Sequence, residues 1–144
     1  MMTMTKKYKI LGKYIKDMSC ETPDTETYIF VKENLSKYKL SIDINSIPLK
    51  NKMIEINIYL KFSDQDNSQK KSYFEFIFTT IIRILDDNVE KKELEKIVLC
   101  DVPNTVYPEI EKSLLDLIHN SGYADFKIEK KIDFEVLYKN KINN

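Results

Sequence analysis

The sequence contains little of what catalytic sites and phosphate-binding loops require. Its 144 residues include two glycines, one histidine, two cysteines and no tryptophan. It has no glycine-rich phosphate loop and no Walker, Rossmann, HExxH or GxSxG pattern. Because enzymes need reactive groups at defined spacings, these absences argue against catalysis. We expect no catalytic residue, no cofactor and no bound metal.

The chain also has no net charge. Lys plus Arg equals Asp plus Glu, at 23 each, so no overall field attracts nucleic acid or anionic lipid. No apolar run reaches the length of a membrane span, and the N-terminal residues lack the apolar segment of a signal peptide. We therefore expect a cytoplasmic protein without a nucleic-acid partner and without direct insertion into a membrane.

The cysteines and the histidine have no chemical partners at a useful spacing. Cys20 and Cys100 form neither a CxxC motif nor a metal-binding spacing, so two reduced thiols are favoured, and a bridge between them stays open. His119 falls in the last turn of a predicted helix, where a cation interacts favourably with the helix dipole. A capping or surface role is therefore expected for His119.

Alternation of apolar and polar residues dominates the first half of the chain. The segments "YKLSIDINSI" and "MIEINIYLKF" each predict a half-buried strand, and their short connector favours antiparallel pairing. "YFEFIFTTIIRIL" is apolar on both faces, which predicts a strand that is covered on both sides. A weaker first strand is predicted in "KYKILGKYIKD", where Gly12 indicates a bulge.

Helical periodicity begins after these strands. A short helix is predicted in "DDNVEKKELEKIVL", a longer one in "PNTVYPEIEKSLLDLIHNSG" and a last one in "IDFEVLYKNK". Pro108 is expected in the first turn of the longer helix, since its missing N–H costs nothing there. Gly122 is expected to end that helix in a left-handed conformation. The apolar stripe of the longer helix is Ile110, Leu114, Leu117 and Ile118.

Strands followed by helices predict the α+β class, with a four-stranded antiparallel sheet and two C-terminal helices on one face. The length fits a single domain over residues 1–144, with flexible ends at 1–6 and 140–144. Two helices cover only one face of the sheet, so the second apolar face of the last strand needs another cover. A second copy of the chain is favoured, as in a homo-oligomer. The alternative is cover by loops and residues 23–36.

Several short motifs follow one another along the chain: Tyr14, Lys16, Asp17, Ser19, Glu21 and Pro23; Pro103, Asn104, Val106, Tyr107 and Pro108; Gly122 and Tyr123; and Asp133, Phe134, Leu137 and Tyr138. Their order over residues 8–139 resembles the SecB family of bacterial protein-export chaperones. Two differences from the family pattern are Thr79–Thr80 in place of paired glycines and a neutral rather than acidic chain.

The resemblance implies a chaperone that is not an enzyme and that keeps precursor proteins unfolded before export. It implies a homotetramer, built as a dimer of dimers, and delivery of the precursors to the motor ATPase SecA. The motor's zinc-carrying tail would dock on Asp17, Glu21 and Glu75, with Tyr73 as the apolar contact between them. The oligomer interface would contain Phe74, Phe76 and Phe78.

The resemblance also implies client grooves near residues 20–36 and beside the last helix, which bind by apolar burial and main-chain pairing. Two other functions remain open. One is a SecB-like chaperone dedicated to a single client such as an antitoxin, and the other is an α+β domain that binds a small molecule. The candidate groove residues are Tyr28, Ile29, Phe30, Tyr107, Phe134 and Tyr138.

Overall fold

A computed structural model describes residues 7–64, 71–128 and 131–143 of the chain. Its described part contains one four-stranded sheet in the order β1-β4-β3-β2, with every neighbouring pair antiparallel. The predicted α+β class and antiparallel sheet are therefore confirmed. The strands are β1 (Tyr8–Glu21), β2 (Tyr38–Pro48), β3 (Met53–Asp64) and β4 (Tyr73–Ile84).

The edge strand β1 is bent at two places. Its pairing with β4 shifts between Ile10 and Gly12, which confirms the bulge predicted at the glycine. A second shift lies between Ile15 and Asp17 and was not predicted. The two shifts change which β1 side chains face each side of the sheet, so Ile10, Ile15 and Asp17 do not follow one simple alternation.

A helix that the sequence analysis did not predict joins β1 to β2. This helix, α1 (Thr25–Glu33), begins after Asp24, whose Oδ1 accepts a hydrogen bond of 2.7 Å from the Thr27 amide. Asn34 ends it by donating from Nδ2 to the Phe30 carbonyl at 2.8 Å. Helix α1 and a single 3₁₀ turn thus carry the chain from one edge of the sheet to the other.

Residues 91–120, which follow the sheet, form one nearly continuous helical segment. It consists of α2 (Lys91–Lys96), a π turn (Ile97–Asp101) and α3 (Val102–Asn120). The placement of Pro108 in a first turn is wrong, because Pro103 occupies that position and Pro108 lies inside α3. The physical reason is a stripe of buried residues every four positions, which begins earlier than expected: Val98, Val102, Val106, Ile110, Leu114 and Ile118.

Two features at the ends of the helices test the remaining predictions. Gly122 follows α3 with a φ of 109°, as expected for a left-handed stop, and a Cβ there would meet the Tyr28 ring. The last helix is α4 (Phe134–Asn143), and the flexibility expected for residues 140–143 stays a prediction. Residues 1–6 and 144, also expected to be flexible, lie outside the described residues.

The core forms on one face of the sheet, which we call the inner face. There, α3 and α1 pack on the apolar side of β3 and β4, and α4 packs beside β2. The opposite face, which we call the outer face, presents exposed side chains such as Tyr14, Asp17 and Glu75. The inner-face side chains of the two central strands are Ile54, Ile56, Ile58, Leu60, Phe62, Phe74, Phe76, Phe78, Thr80 and Ile82.

Candidate functional site

The residues predicted to dock the motor lie together on the outer face. Antiparallel pairing of β1 with β4 sets Glu21 opposite Tyr73 and Ser19 opposite Glu75, and Asp17 follows on the same face of β1. A surface cavity of about 550 Å³ opens at this place. Its lining residues are Met18, Ser19, Cys20, Glu21, Tyr73 and Glu75.

Asp17, Glu21 and Glu75 form what we call the acidic corner, and their side chains are accessible to a partner. Asp17 accepts a hydrogen bond of 3.0 Å from the Ser19 hydroxyl, and Glu75 lies 4.0 Å from the ammonium of Lys61 on β3. All three acids are exposed, and Tyr73 beside them is 45% exposed. The corner therefore combines accessible carboxylates with one accessible aromatic ring.

A polar network that the sequence analysis missed occupies the middle of the outer face. Thr79 donates from Oγ1 to Asn57 Oδ1 at 2.7 Å, and Asn57 donates to Asn45 at 3.1 Å and to Glu55 at 2.9 Å. Asn57 and Thr79 are fully buried although no described helix packs over them. Because buried polar groups need partners, this network fixes the register of the three strands β2, β3 and β4.

The first half of the predicted client groove lies on α1. Tyr28 donates from its hydroxyl to the Gly122 carbonyl at 2.8 Å, and its ring lies 5.3 Å from that of Tyr123. Phe30 packs against the main core, whereas Ile29 is 52% exposed. Within this half, Ile29 thus offers more free apolar surface than its two neighbours.

The second half of the groove surrounds the start of α4. The rings of Tyr107 and Phe134 meet edge to face at 5.6 Å, and both side chains are buried. Burial and the nearby Glu111 carboxylate raise the pKa of Tyr107. Tyr138 packs on the same cluster, so these aromatics hold α4 in place. Over residues 134–141 of this helix, the exposed apolar side chains are Val136 and Leu137.

The two halves belong to separate apolar clusters that share strand β2. Ile42 and Ile44 on the inner face of β2 pack against both clusters. Strand β2 is also an edge of the sheet, so one side of its backbone has no neighbouring strand among the described residues. In contrast, residues 25–33 form helix α1, whose main-chain bonds join successive turns of the helix, which corrects the expectation of main-chain pairing along that part of the segment 20–36.

The interface predicted at the three phenylalanines of β4 conflicts with the structure. Phe74, Phe76 and Phe78 are 0%, 1% and 5% exposed, because the chain's own helices cover them. They leave no free surface for a second copy. The exposed apolar side chains of the edge strands include Leu11, Ile15 and Met18 of β1 and Ile47 of β2.

The surroundings of Cys20, Cys100 and His119 are those of residues with structural roles. Cys20 is exposed and Cys100 is buried, and both are free thiols. His119 Nε2 lies 2.7 Å from the Phe126 carbonyl, in the last turn of α3 as predicted. Over residues 7–64, 71–128 and 131–143, no three His, Cys, Asp or Glu side chains come close enough to hold a metal ion.

The described part of the chain is thus an α+β protein, an antiparallel sheet with helices on one face and two separate accessible surfaces. The family model described as SecB, preprotein translocase subunit SecB, matches residues 2–144. The chain belongs to the SecB family. This result confirms the resemblance drawn from the motifs.

Individual relatives agree with this assignment. A protein of Pelagibacter ubique that is provisionally named protein-export protein SecB is 56% identical over 140 residues, which cover 97% of this chain and 100% of that protein. Protein-export protein SecB of Xanthobacter autotrophicus is 23% identical over 92% of this chain and 83% of its own length.

A solved structure gives the same fold at low sequence identity. The Mycobacterium tuberculosis SecB-like chaperone Rv1957, solved with a ChAD peptide from the antitoxin HigA1, aligns with a TM-score of 0.63 and 14% identity. The alignment covers 87% of this chain and 91% of that one. Separately, no helix in the described part of this chain has the length and apolarity needed to cross a membrane.

Proposed function

We propose that this protein is a cytosolic export chaperone that holds precursor proteins unfolded and delivers them to a SecA-type motor ATPase, without catalysis. Membership of the SecB family supports the export role. The observation that carries the finer proposal is the separation of two surfaces. The acidic corner lies on the outer face, whereas the exposed apolar residues of α1 and α4 lie on the helix side.

Clients would bind on the helix side through apolar burial. Ile29, Val136 and Leu137 are exposed, and burial of apolar surface contributes about 25 cal/mol per Å² whatever the client's sequence. The free backbone edge of β2 lies next to both apolar clusters, so an extended client segment can add there as a further strand. This combination suits a chaperone with many clients.

The motor would dock on Asp17, Glu21 and Glu75, with Tyr73 as the apolar contact. Carboxylates at a protein surface steer and orient a basic partner more than they add affinity. Glu21, Tyr73 and Glu75 line one surface cavity, and Asp17 follows on the same face of β1, which supports a common role. Because the acids and the client surface lie on different sides of the sheet, both partners can bind at once.

We also propose the homotetramer, with the interface moved from the buried phenylalanines to β1. Ile15 and Met18 expose apolar surface there, and the long edge of β1 has no partner strand among the described residues. Exposed strand edges with apolar side chains pair readily with another chain. Size-exclusion chromatography with light scattering should give four times the mass of 17.1 kDa, and a monomer would reject this assembly.

A double charge reversal tests the motor contact. Asp17→Lys with Glu21→Lys should abolish binding of a zinc-loaded synthetic peptide with the sequence of the SecA C-terminal tail. Suppression of aggregation of an unfolded test protein should stay unchanged. The matched control is Asp116→Lys with Asp125→Lys, which alters the same charge at exposed positions on the helix side. Equal binding by both variants would reject the docking surface.

A second pair of variants tests the client surface. Ile29→Ser and Leu137→Ser remove exposed apolar side chains, so the fold should be kept while affinity for an unfolded client falls about tenfold. Exposed positions are preferable to Phe134 or Tyr107, since those two side chains are buried and their loss would damage the fold. Unchanged client affinity in the double variant would refute the proposed groove.

A dedicated chaperone of one client, such as an antitoxin, is the second candidate function. The neutral net charge favours it, because the acidic corner acts without a supporting field from the rest of the chain. The fold match to Rv1957 is compatible with this function but does not by itself favour it. Failure of the unmodified protein to bind the SecA tail peptide, with client capture intact, would move the dedicated chaperone ahead.

A further inference from the structure

Lys61 lies next to the acidic corner on the outer face. Strand pairing aligns Ser19, Glu75, Lys61 and Ser41 in one row across the four strands. Lys61 Nζ lies 4.0 Å from Glu75 Oε1, and both side chains are 55% exposed. Asp17 lies in the adjacent row on β1, so the cation of Lys61 faces the same surface as the predicted docking acids.

We propose that Lys61 is the specificity-determining residue of this face. It neutralises Glu75 and repels positive charge above β3, so it admits partners that place their cations over β1 and β4 and a neutral or acidic group over β3. This inference rests on the proposed docking of a basic partner at the corner. It adds a repulsive element, which is how interfaces reject related but wrong partners.

The weakness of the Lys61–Glu75 pair makes this role physically consistent. An ion pair between exposed side chains at this distance contributes little to folding stability. A partner can therefore separate the two groups, and Lys61 can be replaced without loss of the fold. Its influence on an approaching charged partner reaches further, because exposed charges interact over about 10 Å at 0.1 M salt.

The geometry also distinguishes Lys61 from another cation of the outer face. Lys16 Nζ lies 3.6 Å from Glu55, a half-buried acid that accepts a hydrogen bond from Asn57 in the central polar network. Lys16 is therefore tied to an acid outside the corner. Lys61, in contrast, is paired with a docking acid itself, so its removal frees a carboxylate where the partner would bind.

The experiment compares four proteins for binding of the zinc-loaded SecA tail peptide at about 20 mM and about 300 mM salt. They are the unmodified chain, Lys61→Gln, Lys61→Glu and the control Lys112→Gln, whose lysine is exposed on α3 on the other side of the sheet. We expect Lys61→Gln to bind about two- to fivefold tighter and Lys61→Glu tighter still, with smaller gains at high salt. The control should match the unmodified chain.

The outcomes separate the inference from the proposed function. If the unmodified chain binds and both Lys61 variants bind equally or more weakly, the role of Lys61 is overturned and motor docking stands. If only Lys61→Glu binds, Lys61 is the selective element and the native chain does not dock this peptide. If no variant binds, the inference and the docking surface are both rejected. Urea unfolding of each variant should match that of the unmodified chain.

Discussion

Adjacent residues of β4 lie on opposite faces of the sheet and differ in burial. Phe74 and Phe76 are buried under the helices, while Tyr73 and Glu75 between and beside them are exposed. The period of two in a strand sends neighbours to opposite sides. The phenylalanines therefore serve the fold of the single chain, and within this strand the outer face is the one that a partner can reach.

The largest contrast should appear between Phe76→Ala and Tyr73→Ala. Removal of the buried phenylalanine leaves a cavity and should lower the free energy of unfolding by about 3–5 kcal/mol. The exposed tyrosine should cost about 0.5 kcal/mol or less. Urea unfolding measures both values. Similar costs for the two variants would mean that the faces have been assigned the wrong way round.

The next effect depends on pH and concerns the inner face. Burial raises the pKa of Tyr38 from 10.0 to about 12, although the Ser72 amide, which donates to the Tyr38 hydroxyl at 2.9 Å, acts to lower it. The folded state therefore keeps the proton more firmly than the unfolded state. The resulting stability is complete below pH 10 and decreases between pH 10 and 12, by roughly 2 kcal/mol in total.

Tyr38→Phe isolates this effect from the titration of the lysines. The variant should be less stable at pH 7, because it loses the hydrogen bonds to Ser72, but its stability should fall less steeply between pH 10 and 11. Urea unfolding of both proteins at several pH values gives the two slopes. Parallel slopes would show that the Tyr38 hydroxyl titrates as it does in water.

A smaller contrast separates Thr79 from Thr80, which face opposite sides of the sheet. Thr79→Val leaves Asn57 without the donor at 2.7 Å and should cost about 1–2 kcal/mol. The hydroxyl of Thr80 is buried with no hydrogen-bond partner among the described residues. Thr80→Val should therefore be neutral or stabilise by about 1 kcal/mol. A larger loss at Thr80 than at Thr79 would contradict this assignment.

The smallest effect is expected at the ion pair between β1 and α3. Lys13 donates to Glu109 at 2.7 Å, but both side chains are substantially exposed. Lys13→Ala should lower the free energy of unfolding by about 0.5 kcal/mol or less, and salt should reduce the difference further. A thermal melt in low and high salt is sufficient. A loss above about 2 kcal/mol would show that this pair, rather than apolar packing, holds α3 against β1.

Local signals explain which elements were predicted. Alternation identified β2 and β3, and both were found with the expected faces. Helix α1 was missed because its apolar residues form no clear stripe, although Asp24 before the helix and Lys32 in its last turn were available as start and stop signals. The early start of α3 was missed because Pro108 was taken as a first-turn residue, while the stripe from Val98 onward gave the better boundary.

Local sequence signals predicted only part of the candidate site. Asp17 and Glu21 followed from a motif near the end of one strand, and Tyr73 and Glu75 followed from the family resemblance. Their meeting on one face depends on the register of β1 with β4, which includes two shifts. The partner of Glu75 on β3, Lys61, could not be found at all without the pairing of those strands.

The class of the fold, the family and the alternating strands could be predicted from the residues alone, because these depend on local periodicity and on the order of short motifs. Which apolar face is covered could be seen only in the folded chain, because it depends on the path of α1 and α3 over the sheet. The same holds for the charges that meet, since strands distant in the chain become neighbours only when hydrogen bonds set their register.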